Sequence, residues 1–156
     1  MNKISLFLTI VFTLFILSCN KEDKIKKETE DYTVYQANMR LPLGAGTNSV
    51  VFFTFQNNTE QSVKVISATS SLDAKVEIHN VLMKDNMMFM QQAEFVEVKA
   101  KSNIIFKSGS YHLMVMGIKD KLKAKDLVTF TLELDNKEKI TFKASVEGLN
   151  KIHSKH

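Results

Sequence analysis

Residues Ser49 to Gln56 read Ser-Val-Val-Phe-Phe-Thr-Phe-Gln, and short runs of this kind recur from Tyr32 to Val146. Each is rich in β-branched and aromatic residues, which suit a pleated, half-buried surface, and each stops at a polar or glycine-bearing turn. The runs predict strands at Thr33–Met39, Ser49–Gln56, Ser62–Ala68, Lys75–Leu82, Met87–Gln91, Phe95–Val98, Asn103–Phe106, Tyr111–Ile118, Leu127–Leu134 and Lys139–Val146. The intervening turns include Leu41 to Gly46 with the chain's one proline, Pro42, then Asn57 to Glu60, Lys84-Asp85-Asn86 and Asp135 to Glu138. No stretch carries a convincing helical period, and no internal repeat is visible. Many short strands at near-regular intervals imply an all-β fold, an antiparallel sandwich or Greek-key barrel. The length suits one domain with one core.

The residues before Tyr32 follow a different logic. Lys3 gives a short basic start, and Ile4 to Leu17 is apolar apart from Ser5, Thr9 and Thr13. That run has the proportions of a secretory signal rather than of a membrane span, so residues 1–18 are expected to be a signal peptide. Ile16-Leu17-Ser18-Cys19 resembles the bacterial lipobox, which makes Cys19 a lipidation candidate, the other reading being an ordinary signal peptide with an incidental cysteine. Cys19 is the only cysteine, which excludes an intrachain disulfide, and acylation would remove it as a metal thiolate. Residues 19–31 are dense in Lys, Glu and Asp, too poor in apolar surface to offset ordering entropy, and read as a tether. The domain is then residues 32–149, followed by a short tail, 150–156, with His153 and His156. These two histidines are either solvated tail residues or ligands for a metal ion.

Chemistry concentrates between Ile78 and Gly117. Of seven methionines after the initiator, six (Met83, Met87, Met88, Met90, Met114, Met116) fall in this window, with His79 and His112. Any one of them is ordinarily core filler. Together they are a soft, neutral donor set without thiolates or clustered carboxylates, and that suits Cu(I) better than Zn, Mg or Ca. The spacing His79, ten residues, Met90, twenty-one residues, His112, one residue, Met114 resembles the H-x10-M-x21-H-x-M signature of the periplasmic copper(I) chaperones called PCuAC. Val76-Glu77-Ile78-His79, Met88-Phe89-Met90 and Tyr111-His112-Leu113-Met114-Val115-Met116-Gly117 resemble that family's words VELH, MRM and YHVMLMG, and the likeness runs from about Ala37 to Val146.

The resemblance implies a single cupredoxin-like β-barrel, a lipoprotein form of the family, and Cu(I) held by His79, Met90, His112 and Met114. It also implies a periplasmic, membrane-anchored, non-enzymatic carrier. Its acceptor would be the copper centre of cytochrome c oxidase, on subunit II, with Sco-type thiol proteins as collaborators. The ligands would gather where loops and strand ends meet at one pole of the barrel. Thioethers do not oxidise to disulfides, so they suit copper handling outside the cytoplasm better than thiolates do. They need no deprotonation, so protons compete only at the two imidazoles.

Copper sequestration for tolerance uses the same ligands, and a metal-free structural lipoprotein is the bland alternative. Blue-copper electron transfer needs a cysteine ligand that the domain lacks. No GxSxG, HExxH or P-loop sequence is present, so no enzyme is indicated. The formal charge of +4 includes Lys3, and the remaining lysines are scattered through turns, which gives no support for nucleic-acid binding. Cys19→Ala is expected to abolish incorporation of labelled fatty acid; persistent labelling would place the lipid elsewhere.

Overall fold

Alternation of apolar and polar side chains resolves into ten strands in a computed structural model, which describes residues 30–42, 46–84 and 87–148. In chain order they are β1 (Tyr32–Arg40), β2 (Ser49–Asn57), β3 (Val63–Ser70), β4 (Lys75–Lys84), β5 (Met87–Gln92), β6 (Val96–Val98), β7 (Asn103–Phe106), β8 (His112–Met116), β9 (Leu127–Leu134) and β10 (Lys139–Glu147). Every strand anticipated from the sequence is present. The signal segment, Cys19, the tail histidines and the hairpin tip at Asp85-Asn86 lie outside the described residues.

The strands form one hydrogen-bonded sheet in the order β5-β4-β8-β2-β1-β10-β9-β3-β6, with β7 sharing an edge of β2 with β8. β5 and β6 are its two ends and do not pair, so the barrel is open. β3 and β4 approach one another without pairing, which folds the sheet over a single core. All neighbours are antiparallel except β1 and β10, which run parallel with Asn38 opposite Ser145. The expected wholly antiparallel arrangement is corrected at this one seam. β1 carries a bulge between Tyr35 and Asn38, where Gln36 takes φ 56°. The bulge shifts the register midway along the strand.

The core is lined by alternate residues of β2 (Val51, Phe53, Phe55), β8 (Leu113, Val115) and β9 (Val128, Phe130, Leu132, Leu134). Ring centroids of Phe53 and Phe106 lie 4.2 Å apart, and Phe142 packs on Phe53 at 5.0 Å and on Phe130 at 5.8 Å. One polar side chain, Asn57, is fully buried at the end of β2. Its amide nitrogen faces the carbonyls of Gln61 (2.8 Å), Val98 and Lys99 (both 3.2 Å), while its oxygen accepts from the Thr59 amide (3.0 Å). Burial without cost requires such pairing, and this bracket ties the β2–β3 turn to the chain after β6. Phe130→Ala, in the centre of the core and away from the histidines, is expected to cost about 3–5 kcal/mol, read as a lower urea midpoint. A loss below about 1 kcal/mol would mean that the core repacks freely around the gap.

Candidate metal centre

Burial on one side of the sheet dictates what faces outward on the other. Ile78 on β4 and Leu113 and Val115 on β8 are buried in the core. Successive side chains alternate faces, so Glu77, His79, His112, Met114 and Met116 must share the opposite face. The register between β4 and β8 then sets their order: Lys75 opposite Met116, Glu77 opposite Met114, and His79 opposite His112. The two histidines are direct cross-strand neighbours, with ring centroids 6.0 Å apart and planes inclined by 59°.

Each ring has one nitrogen committed and one free. His112 Nδ1 lies 2.9 Å from the Ser110 carbonyl. A carbonyl only accepts, so Nδ1 carries the proton and Nε2 keeps its lone pair. His79 Nε2 lies 2.8 Å from a Glu77 carboxylate oxygen, which leaves Nδ1 as the basic atom by the same reasoning. His79 Nδ1 and His112 Nε2 are the two buried side-chain polar atoms without a hydrogen-bond partner among the described residues. A buried lone pair without a donor is unfavourable, and two on facing rings match what a metal ion requires of imidazole. His112 is 3 % exposed, which deepens that mismatch.

Glu77 was not singled out as a site residue in the sequence, although its position two before His79 places it on the same face. It sits between His79 and Lys75, whose Nζ is 2.6 Å from the other carboxylate oxygen. The hydrogen bond from His79, and then the one from Lys75, hold its carboxyl below the ordinary value of 4.5. Glu77 is thus a positioning residue that fixes the tautomer and tilt of His79.

Met114 lies diagonally beside His79 on the far strand, and a cavity of about 270 Å³ opens next to it, lined by Arg40, Thr47, Asn48 and Val50 among others. Gly117, at φ +70°, ends β8 in a left-handed turn that side-chain-bearing residues resist. Its N–H donates to Asn48 Oδ1 at 3.2 Å, and Ile118 N–H donates to the Thr47 carbonyl at 2.8 Å. These bonds hold the end of β8 against the loop before β2. Met90 arrives from the other side. On β5 it faces Val81, while His79 faces Gln92, so Met90 is diagonal to His79 across that pair. Its side chain is 55 % exposed. The register therefore puts His79 and His112 side by side, with Met114 on β8 and Met90 on β5 each diagonal to His79 on opposite flanks.

The centre does not occupy loops at a pole, as expected from the sequence. His79 is in the middle of β4, which runs two residues past the anticipated end at Leu82, and His112 opens β8. The donors stand on the outer face of the sheet near its β5 edge. Among the described residues no three His, Cys, Asp or Glu side chains are placed to hold a metal ion.

The open all-β sheet has the cupredoxin-like fold of the PCuAC domains. The copper-bound PCuAC domain from PmoF2 superposes with a TM-score of 0.64 at 16 % identity, over 76 % of this chain and 93 % of that one. The solution structure of apo-DR1885 from Deinococcus radiodurans gives 0.59 at 20 % identity, over 78 % and 81 %. At such identities the likeness is one of fold. The chain belongs to the family described as "Putative lipoprotein LpqE-like", which matches residues 32–146. It is 29 % identical over 100 residues to the uncharacterized protein RP573 of Rickettsia prowazekii (strain Madrid E), covering 62 % of this chain and 55 % of that one. It is also 29 % identical over 94 residues to "Putative lipoprotein Lxx21020" of Leifsonia xyli subsp. xyli (strain CTCB07), covering 59 % and 57 %. The matches thus span little more than half the length of these two relatives.

A carboxyl held below 4.5 stabilises the fold above that value and loses its contribution as the pH falls through the lower, folded value. Wild type should therefore melt above Glu77→Gln at about pH 7, with the gap closing towards about pH 3. Equal gaps at both would mean that the carboxylate charge is not what holds His79 and Lys75.

Proposed function

We propose that this protein is an extracytoplasmic, lipid-anchored Cu(I) carrier whose cargo is held by His79, His112 and Met114, with Met90 completing the shell. The observation that carries the reading is the facing pair of imidazoles, each with its outer nitrogen fixed by a hydrogen bond and its inner nitrogen left without one. Thioether flanks select a soft ion, and two neutral imidazoles leave its single charge uncancelled, which favours Cu(I) over Cu(II). Lipid attachment through Cys19 follows from the lipobox-like Ile16-Leu17-Ser18-Cys19 and agrees with the family's lipoprotein description. The copper named in the PmoF2 domain and in the Cu(I) form of DR1885 supports the choice of metal.

Transfer is expected to run downhill to a stronger, cysteine-bearing acceptor. The copper centre of cytochrome c oxidase subunit II, with Sco-type thiol proteins assisting, is the acceptor that the PCuAC resemblance proposes. Nothing at the centre requires catalysis. His79 and His112 hold the ion, Glu77 and the Ser110 carbonyl hold the histidines, and exposed thioethers offer a path by which another protein's ligands can replace them.

Strand geometry supports Met114 rather than Met116 as the β8 ligand. At roughly 3.3 Å per residue, Met114 is about 7 Å along the strand from His112 and Met116 about 13 Å. Side chains on one face stand nearly parallel, so an ion bonded to imidazole is within reach of Met114 and not of Met116. Met114→Leu is expected to abolish tight Cu(I) binding in competition with a chromophoric chelator. Met116→Leu should stay within about tenfold of wild type, or about 1.4 kcal/mol. X-ray absorption should lose a sulfur in the first variant alone. The reverse outcome would remove Met114 from the centre, and wild type without Cu(I) affinity would remove the function.

A further inference from the structure

The β4–β5 hairpin carries methionines for which the central site has no use. Met83, Met87 and Met88 are 67 %, 58 % and 72 % exposed, and every residue of β5 is exposed. A soluble domain ordinarily keeps such side chains apart or inside, so their grouping on an edge strand calls for a cause. The register sorts them. Met83 is directly opposite Met88, and Val81 is opposite Met90. His79, Val81 and Met83 share one face of β4, so Met83, Met88 and Met90 all stand on the face that bears the two histidines. Met87, opposite Lys84, points the other way with Leu82 and Phe89.

We propose that Met83, Met88 and Met90 form a second, weaker Cu(I) site, an all-thioether station where copper docks before or after occupying the histidine centre. Directly opposed residues have Cβ atoms about 4.5–5.5 Å apart, and the diagonal pair Met83–Met90 is about 7–8 Å apart. Met88 and Met90 are two residues apart on one strand, about 7 Å. Three long, flexible side chains at those separations can direct their sulfurs to one ion without moving the backbone. Thioethers take Cu(I) in preference to harder ions. Met90 belongs to both sets, because it is diagonal to Met83 on one side and to His79 on the other. Copper can thus pass from three sulfurs to the imidazoles by exchanging ligands around one shared methionine, never being free in solution. Exposure is what this role requires, since a donor protein must reach the hairpin.

The inference rests on the Cu(I)-carrier reading, and the two can fail separately. Cu(I) is titrated, under reducing conditions, into the full chain and into Met83→Leu/Met88→Leu and His112→Ala. Both methionines are outside the core, so the double variant should keep the wild-type melting temperature; Met83→Gln/Met88→Gln provides a second test should leucine cause aggregation. Wild type should take up a tight equivalent at the histidine centre and, at excess Cu(I), a weaker one at the station. Met90 then passes to Met83 and Met88 while His79, His112 and Met114 keep the first ion. The methionine pair should remove the weaker one, by at least about tenfold in affinity, or roughly 1.4 kcal/mol, and spare the tighter. His112→Ala should do the opposite, leaving an all-sulfur shell by X-ray absorption. A single wild-type equivalent, or a methionine variant that still binds two, overturns the station and leaves the stripe as an adaptable protein-contact surface. Failure of His112→Ala to remove either equivalent overturns instead the histidine centre.

Discussion

Everything at the proposed metal face depends on the pairing of β4 with β8. Burial of Ile78, Leu113 and Val115 specifies that pairing, because a slip of one residue would turn the histidines into the core and the aliphatic residues into water. With the register set, the two rings meet without further design. The Ser110 carbonyl and the Glu77 carboxylate then choose which nitrogen of each ring is basic. The core and the donor set are consequently two sides of one strand pair. A substitution that loosens Leu113 is also a perturbation of His112.

Strand positions were legible because β-branched and aromatic runs between polar turns are local signals, and β2, β7 and β9 fall within a residue of where the pattern puts them. The parallel contact of β1 with β10 was not legible, since nothing in either segment names a partner so distant in sequence. The candidate ligands were visible through spacing, but their setting was not. The resemblance implied loops and strand ends at one pole, whereas β4 continues to Lys84 and the candidate donors lie on a sheet face. Glu77 escaped notice because a lone glutamate on a strand looks like solvated surface. The signal was its separation of two from a candidate ligand, which guarantees a shared face.

The donor chemistry and the fold's open edge are matched to each other. Neutral sulfur and nitrogen ligands resist cross-linking and bind without losing protons of their own, but they need access to exchange. β5 is the end of the sheet, so its methionines are reachable from outside while the histidines, one and two strands inward, are shielded. An edge strand is ordinarily an invitation to unwanted pairing. Here that exposure is retained beside the proposed metal centre, where a soft ion would enter and leave.

The parallel seam has a bearing on how the protein comes into being. β10 lies between β1 and β9 in the middle of the sheet, yet it is the last strand among the described residues. Before it is in place, β5-β4-β8-β2-β1 and β9-β3-β6 are two half-sheets without their common strand. Such long-range pairing is slow to nucleate, because loop closure must precede the contacts that reward it. A chain emerging from its N-terminus thus contains both histidines well before it contains the strand that joins the two halves. Joining the two half-sheets requires residues 139–147, which pair with β1 and β9 and not with the strands that carry the candidate donors. Premature truncation there would divide the sheet at its centre, whereas loss of β5 would trim only its rim.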